Sequence, residues 1–139
     1  MQENMTMARK WPLAFWLCVT LALAGFIFWL SLFRVAGLGG FRINDKVGHF
    51  LAYAALGFSL CSVAARVRAR LPRLYVILAG ICIGMLYGIG LEFAQVLFTS
   101  ERECSVFDML ADLLGSAAGS GVWAGAGALF AQTGIRMRA

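Results

Sequence analysis

The chain reads as an all-α integral membrane protein, a bundle of four transmembrane helices with both termini on the cytoplasmic side. Three observations predict it. Of 139 residues, 61% are hydrophobic and only 14% are charged, whereas soluble domains carry roughly a quarter charged residues. The mean hydropathy is +0.80. The apolar residues gather in four stretches, each long enough at about 1.5 Å per residue to cross a hydrocarbon layer of about 30 Å.

The first span covers 11–33, Trp11 to Phe33, with no charge. Arg9 and Lys10 precede it as they would precede a signal peptide. The run is longer than the roughly 7–15 residues of a signal-peptide core, and no small-x-small cleavage site follows before Gly37, so a retained helix is expected. The second span, 47–65, is interrupted only by His49. The third, 74–98, is uncharged until Glu92, and the fourth, 108–132, has Asp108 and Asp112 in its opening turns. Trp11, Trp29, Tyr75 and Phe98 stand near the expected ends, where amphipathic rings favour the membrane–water boundary. No linker, repeat or low-complexity tract divides the chain, so residues 1–139 read as one domain.

Orientation follows from the basic residues. Arg9, Lys10, Arg66, Arg68, Arg70, Arg73, Arg136 and Arg138 fall on one side; Arg34, Arg42, Lys46 and Arg102 fall on the other. The excess belongs in the cytoplasm, which makes this a multi-pass protein of the cell inner (plasma) membrane. Anionic lipid is a sufficient partner for the inner arginines, with no nucleic acid implied. Cys18, Cys61 and Cys82 lie within spans as apolar filler. Cys104 is alone in an outer loop, so no disulfide framework is implied.

Gly80, Gly84 and Gly88 recur every four residues on the third helix, a strip along which a neighbouring backbone can approach. Gly115, Ala118, Gly119 and Gly125 on the fourth helix offer the matching surface, and Ala52, Ala55 and Gly57 a thin one on the second. Close contact of the third and fourth helices would bring Glu92 near Asp108 and Asp112. Small-residue faces also suit partner helices, so a homo-oligomer or a scaffold role is one expectation.

The side chains that a membrane helix would avoid converge at one end. Lys46, His49 and Tyr53 share a face of the second helix, and Asp45 lies four residues before His49, able to reach the imidazole or cap the helix. Glu92 and Gln95 share a face of the third helix; Asp108 and Asp112 are one turn apart on the fourth; Arg102 lies in the loop between them. Ionisable groups at such depth are costly and usually mark a site.

The segment Asp45-Lys46-Val47-Gly48-His49-Phe50-Leu51-Ala52-Tyr53 resembles the opening motif of VanZ-like membrane proteins, a family named for a teicoplanin-resistance protein. Glu92-Phe93-Ala94-Gln95, then Arg102, then Asp108-Met109-Leu110-Ala111-Asp112-Leu113-Leu114-Gly115 resemble its later motifs in the same order. The chain departs from the family in lacking Pro-Gly before Arg102 and in carrying Asp112 where many members have Asn. The resemblance implies a fold and assigns no catalytic residue.

The expected function is binding or handling of an envelope lipid, a polyprenyl-linked carrier or a cell-wall precursor head group on the extracytoplasmic face. Asp45, Lys46, His49, Tyr53, Glu92, Gln95, Arg102, Asp108 and Asp112 would be the ligand-binding set. Lys46 and Arg102 would contact phosphate. The alternative is a membrane-embedded enzyme acting on an envelope lipid, with His49 oriented by Asp45 as general base and Glu92 as acid. No nucleophile elbow or phosphate-cradling glycine loop accompanies them. His49, Glu92, Asp108 and Asp112 are metal-ligand types, but a single histidine without an adjacent ligand predicts no metal, and no cofactor is expected.

Overall fold

The computed structural model describes residues 12–32, 45–98 and 105–136, with side chains described for 12–32, 46–98 and 105–128. All regular structure there is helical: α1 Leu13–Leu32, α2 Asp45–Val67, α3 Arg73–Phe98 and α4 Val106–Arg136. Each expected span corresponds to one helix, with ends shifted by a few residues. Three of them, α1, α2 and α3, are long and apolar enough to cross a membrane.

Local chemistry sets the ends. Pro72 disfavours helical geometry in the residue before it, and α2 gives way to a turn in which the Leu71 amide donates to the Arg68 carbonyl at 3.0 Å. Pro72 then opens α3, its carbonyl accepting from the Tyr75 and Val76 amides. Ser105 caps α4: its hydroxyl accepts the Asp108 amide at 3.3 Å, as serine does at helix starts.

The chain runs up and down four times. Trp16 of α1 meets Phe58 of α2, Ala24 meets Tyr87 of α3, and Gly88 of α3 meets Asp112 of α4. Hence α1 and α3 point one way, α2 and α4 the other. The distribution of side chains is inside-out relative to a soluble core. The largest fully buried side chains are Tyr53, Asp112, Cys61, Ser59, Ser62, Ser116 and Ser120, while Leu21, Leu86, Leu97, Phe98 and Val122 are exposed. An apolar exterior of this kind suits hydrocarbon, where small and polar residues mediate helix contact.

Helices α2, α3 and α4 form a triangle, and α1 lies outside it against α2 and α3, away from α4. A compact four-helix bundle is therefore too symmetric a description. Composition fits this seat: α1 has no polar face to turn inward and buries only Ile27.

The glycines explain the triangle. The α3 strip packs on α4 as expected: a methyl group at Gly88 would stand 2.6 Å from Asp112 Oδ2, and one at Gly80 would stand 2.7 Å from Ser120 Oγ, with Gly84 facing Ser116 between them. The α4 partners are thus Asp112, Ser116 and Ser120. Gly115 and Gly119 belong to another seam, against the Phe50 and Ala54 carbonyls of α2. Gly125 has open space where its side chain would be. On α2, Gly57 and Ala54 line the seam while Ala55 is exposed. Helix α4 thus carries two thin faces: Asp112, Ser116 and Ser120 toward α3, and Gly115 and Gly119, expected against α3, toward α2.

Candidate functional site

At the end where α2 and α4 begin and α1 and α3 finish, an ion pair and a histidine–carboxylate pair join α2 to α4. Lys46 Nζ lies 3.1 Å from Asp108 Oδ1, with the lysine side chain 51% exposed and the aspartate 14%. The ammonium also sits 5.3 Å over the Phe107 ring, where a ring quadrupole attracts it. One turn deeper, His49 Nδ1 lies 2.8 Å from Asp112 Oδ1, and Asp112 is 2% exposed. Parallel helices, with Gly115 and Gly119 bringing the backbones close, hold both pairs in register.

Tyr53, one turn below His49, stacks on it with centroids 6.4 Å apart and planes at 5°. Its ring also meets Tyr87, at 6.4 Å. Tyr87 donates its hydroxyl to the Ala24 carbonyl at 2.6 Å. Gln95 donates from Nε2 to the Ser31 carbonyl at 3.3 Å. Two α3 side chains therefore bind α1 through its backbone.

Glu92 is 2% exposed, and its Oε2 accepts the Ser105 backbone amide at 3.0 Å. In a capping box an acid at the third helical position turns back to that amide. Here Asp108 occupies the position and is engaged with Lys46, while Glu92 reaches across from α3 to supply the acceptor. The helix start that carries Asp108 and Asp112 is thereby tied to α3.

The structure thus brings together Lys46, His49, Tyr53, Glu92, Gln95, Asp108 and Asp112 at one end of the molecule. The imidazole is bonded to Asp112, a partner 63 residues away. Asp45 begins α2, but its side chain lies outside the described residues, as does Arg102 entirely. Among the described residues, no three His, Cys, Asp or Glu side chains gather at metal-binding geometry.

No family model, curated protein or solved structure matches this chain.

Three residues outside the sequence-derived set also contribute, Tyr87, Ser116 and Ser120, and Ser105, expected as the cap of α4, does more than cap. Ser105 works through its amide as well as its hydroxyl. Tyr87 precedes Gln95 by eight residues on one α3 face, a spacing that marks a shared neighbour. Ser116 and Ser120 follow Asp112 at intervals of four and extend its face down α4. Ser116 is fully buried, and its hydroxyl has no hydrogen-bond partner in the described structure.

Proposed function

We propose that this chain is a VanZ-like four-span membrane protein whose polar end faces away from the cytoplasm and binds the head group of an envelope lipid or lipid-linked precursor. The observation that carries the reading is the stacking of the Lys46–Asp108 and His49–Asp112 pairs between α2 and α4. Lys46 is half exposed beside Asp108. An ammonium group donates in three directions, so a carboxylate and a phosphate oxygen can share it. The carboxylate behind it opposes a bare anion and favours a head group that offers donors beside its phosphate. Sugar hydroxyls and amines have that character. Glu92 and Gln95 support the site from α3, and Arg102 belongs to the same motif set.

Support for a fourth span comes from the length of α4. Its 31 residues extend about 46 Å at about 1.5 Å each. Its two acidic residues lie in the first two turns, leaving an uncharged stretch beyond. The basic residues at the opposite end of the molecule support the orientation.

The decisive experiment is lipid copurification. Protein extracted from membranes should carry a specific phosphate-bearing lipid, identified by mass spectrometry, and Lys46→Gln should lose it while remaining folded. Equal lipid content in the two proteins would remove the basis of the proposal.

A second reading is favoured by the His49–Asp112 distance of 2.8 Å. A carboxylate that accepts the Nδ1 proton leaves Nε2 basic, which is how an oriented histidine acts as general base. An enzyme on the same lipid would then lose turnover, though not binding, in His49→Gln.

A further inference from the structure

The opposite end of the molecule carries a second, unrelated feature. Helix α2 ends at Val67 and α3 begins at Arg73, and both are long and apolar enough to cross a membrane. A short turn between two crossing helices must lie at a membrane face, at the depth of lipid phosphates. That turn is Arg68-Ala69-Arg70-Leu71-Pro72, followed at once by Arg73. No acidic residue occurs between Lys46 and Glu92 in the sequence. Glu92, Asp108 and Asp112 all lie at the other end, two of them paired there with α2 side chains.

The arginines divide by task. Arg66 points inward: Nη1 donates to the Ser62 carbonyl at 2.5 Å, and its guanidinium lies 5.3 Å over the Trp16 ring. Arg73 reaches α4, with Nη2 placed 3.2 Å from where a Gly127 methyl would stand. Arg68 and Arg70 are exposed and, with Ala69 and Leu71, line a surface cavity of about 460 Å³. The turn therefore offers two exposed arginines beside an open, largely apolar depression. It also adjoins the start of a 26-residue helix, whose first amides point outward with the positive end of the dipole.

We propose that this turn is a binding site for the head group of an anionic phospholipid, with Arg68 and Arg70 as the phosphate ligands and Leu71 against the glycerol and first acyl carbons. Guanidinium suits this because it donates in a planar fork that matches two phosphate oxygens. A zwitterionic lipid brings its own ammonium group beside the phosphate, which the same arginines repel, so its net attraction is weaker. The site is independent of the head-group reading at the other end and involves none of its residues.

The test uses the full chain in neutral detergent micelles doped with phosphatidylglycerol and phosphatidylcholine, with bound lipid counted by native mass spectrometry. The wild type should retain phosphatidylglycerol in preference to phosphatidylcholine, saturating at low occupancy. Arg68→Gln/Arg70→Gln should weaken that binding about thirtyfold, from a roughly fivefold contribution of each arginine near an anionic surface. Arg68→Lys/Arg70→Lys, which keeps the charge, should hold phosphatidylglycerol within about fivefold of wild type. The proposal is overturned if the wild type does not discriminate between the lipids, if the glutamine variant keeps its affinity, or if the lysine variant loses selectivity altogether. Inorganic phosphate at millimolar concentration should not displace the lipid. Displacement would reassign the turn to a soluble phosphate.

Discussion

Glu92 of α3 accepts the backbone amide of Ser105 at 3.0 Å, so the first turn of α4 is anchored by an acid from another helix. The bond matters because that turn carries Asp108, and Asp112 follows one turn on. Together with the Gly115–Gly119 seam it sets where both meet α2. Glu92 is thus a positioning residue for the two pairs. A glutamine can still accept the amide through its side-chain carbonyl; an alanine cannot. Glu92→Ala should cost about 1–2 kcal/mol, the range of interhelical hydrogen bonds in membranes and of an amide left without an acceptor. Glu92→Gln should cost clearly less. Reversible unfolding in mixed micelles measures both, and equal losses would mean that the amide contact carries no weight.

The His49–Asp112 pair invites a double-mutant cycle. Both groups are largely enclosed, at 16% and 2% exposure, and removing either breaks the contact between α2 and α4. His49→Ala and Asp112→Ala should each destabilise the fold nearly as much as the double variant, with a coupling energy of at least about 1 kcal/mol. Additive losses would show that the 2.8 Å contact does not stabilise the protein.

How far this architecture could be read from residues alone depends on what a one-dimensional pattern records. The helices were legible because apolar runs bounded by charge or proline are local. The site was legible as a layer, since Lys46, Glu92 and Asp108 each sit at the same end of their stretch. Pairing was not legible. Spacing along α2 gives no hint of Asp112, 63 residues away, which the imidazole meets across the α2–α4 seam. Likewise Gly115 and Gly119 announce a thin face without naming its neighbour. With Asp112, Ser116 and Ser120 on a second face, α4 packs on two helices at once. The peripheral seat of α1 was hidden for the opposite reason. A helix apolar on every side records no preferred face, and its ties to α3 run through its own carbonyls at Ala24 and Ser31.

Glycine substitutions separate the two classes of small residue on α4. A methyl group at Gly119 would stand 2.7 Å from the carbonyl carbon of Ala54 and 2.9 Å from its Cα. Backbone atoms cannot rotate away, so α2 and α4 must separate. Gly119→Ala should cost about 1–3 kcal/mol as overpacking does, and should weaken both charge pairs with it. At Gly125 nothing lies within 4 Å of the added methyl. There the substitution should be neutral or stabilise by up to about 1 kcal/mol, because alanine is the better helix former. Loss of stability in Gly125→Ala would point to a partner seated on that face, such as a second copy of the chain.

Tyr87 tests the attachment of α1. Its hydroxyl donates to Ala24 at 2.6 Å, while its ring stays against Tyr53. Tyr87→Phe removes the first contact and keeps the second. Since α1 touches only α2 and α3, the loss should be local. Amides of α1 should exchange faster with deuterium, while those of α2, α3 and α4 keep wild-type rates. Uniform acceleration across all four helices would mean that α1 opens only with the whole bundle.

The placement of the polar end outside the cytoplasm has its own test, because orientation rests on arginines and span number on helix length. Cys104 lies in the sequence between α3 and α4, and Ala139 closes the chain beyond α4. If α4 crosses, these two positions lie on opposite sides of the membrane. In sealed right-side-out vesicles, an impermeant thiol reagent should modify Cys104. It should reach an Ala139→Cys thiol, introduced with Cys104→Ser, only after lysis. Modification of both without lysis would return α4 to the outer surface and leave three spans. The reverse pattern would turn the polar end toward the cytoplasm and overturn the proposed extracytoplasmic orientation.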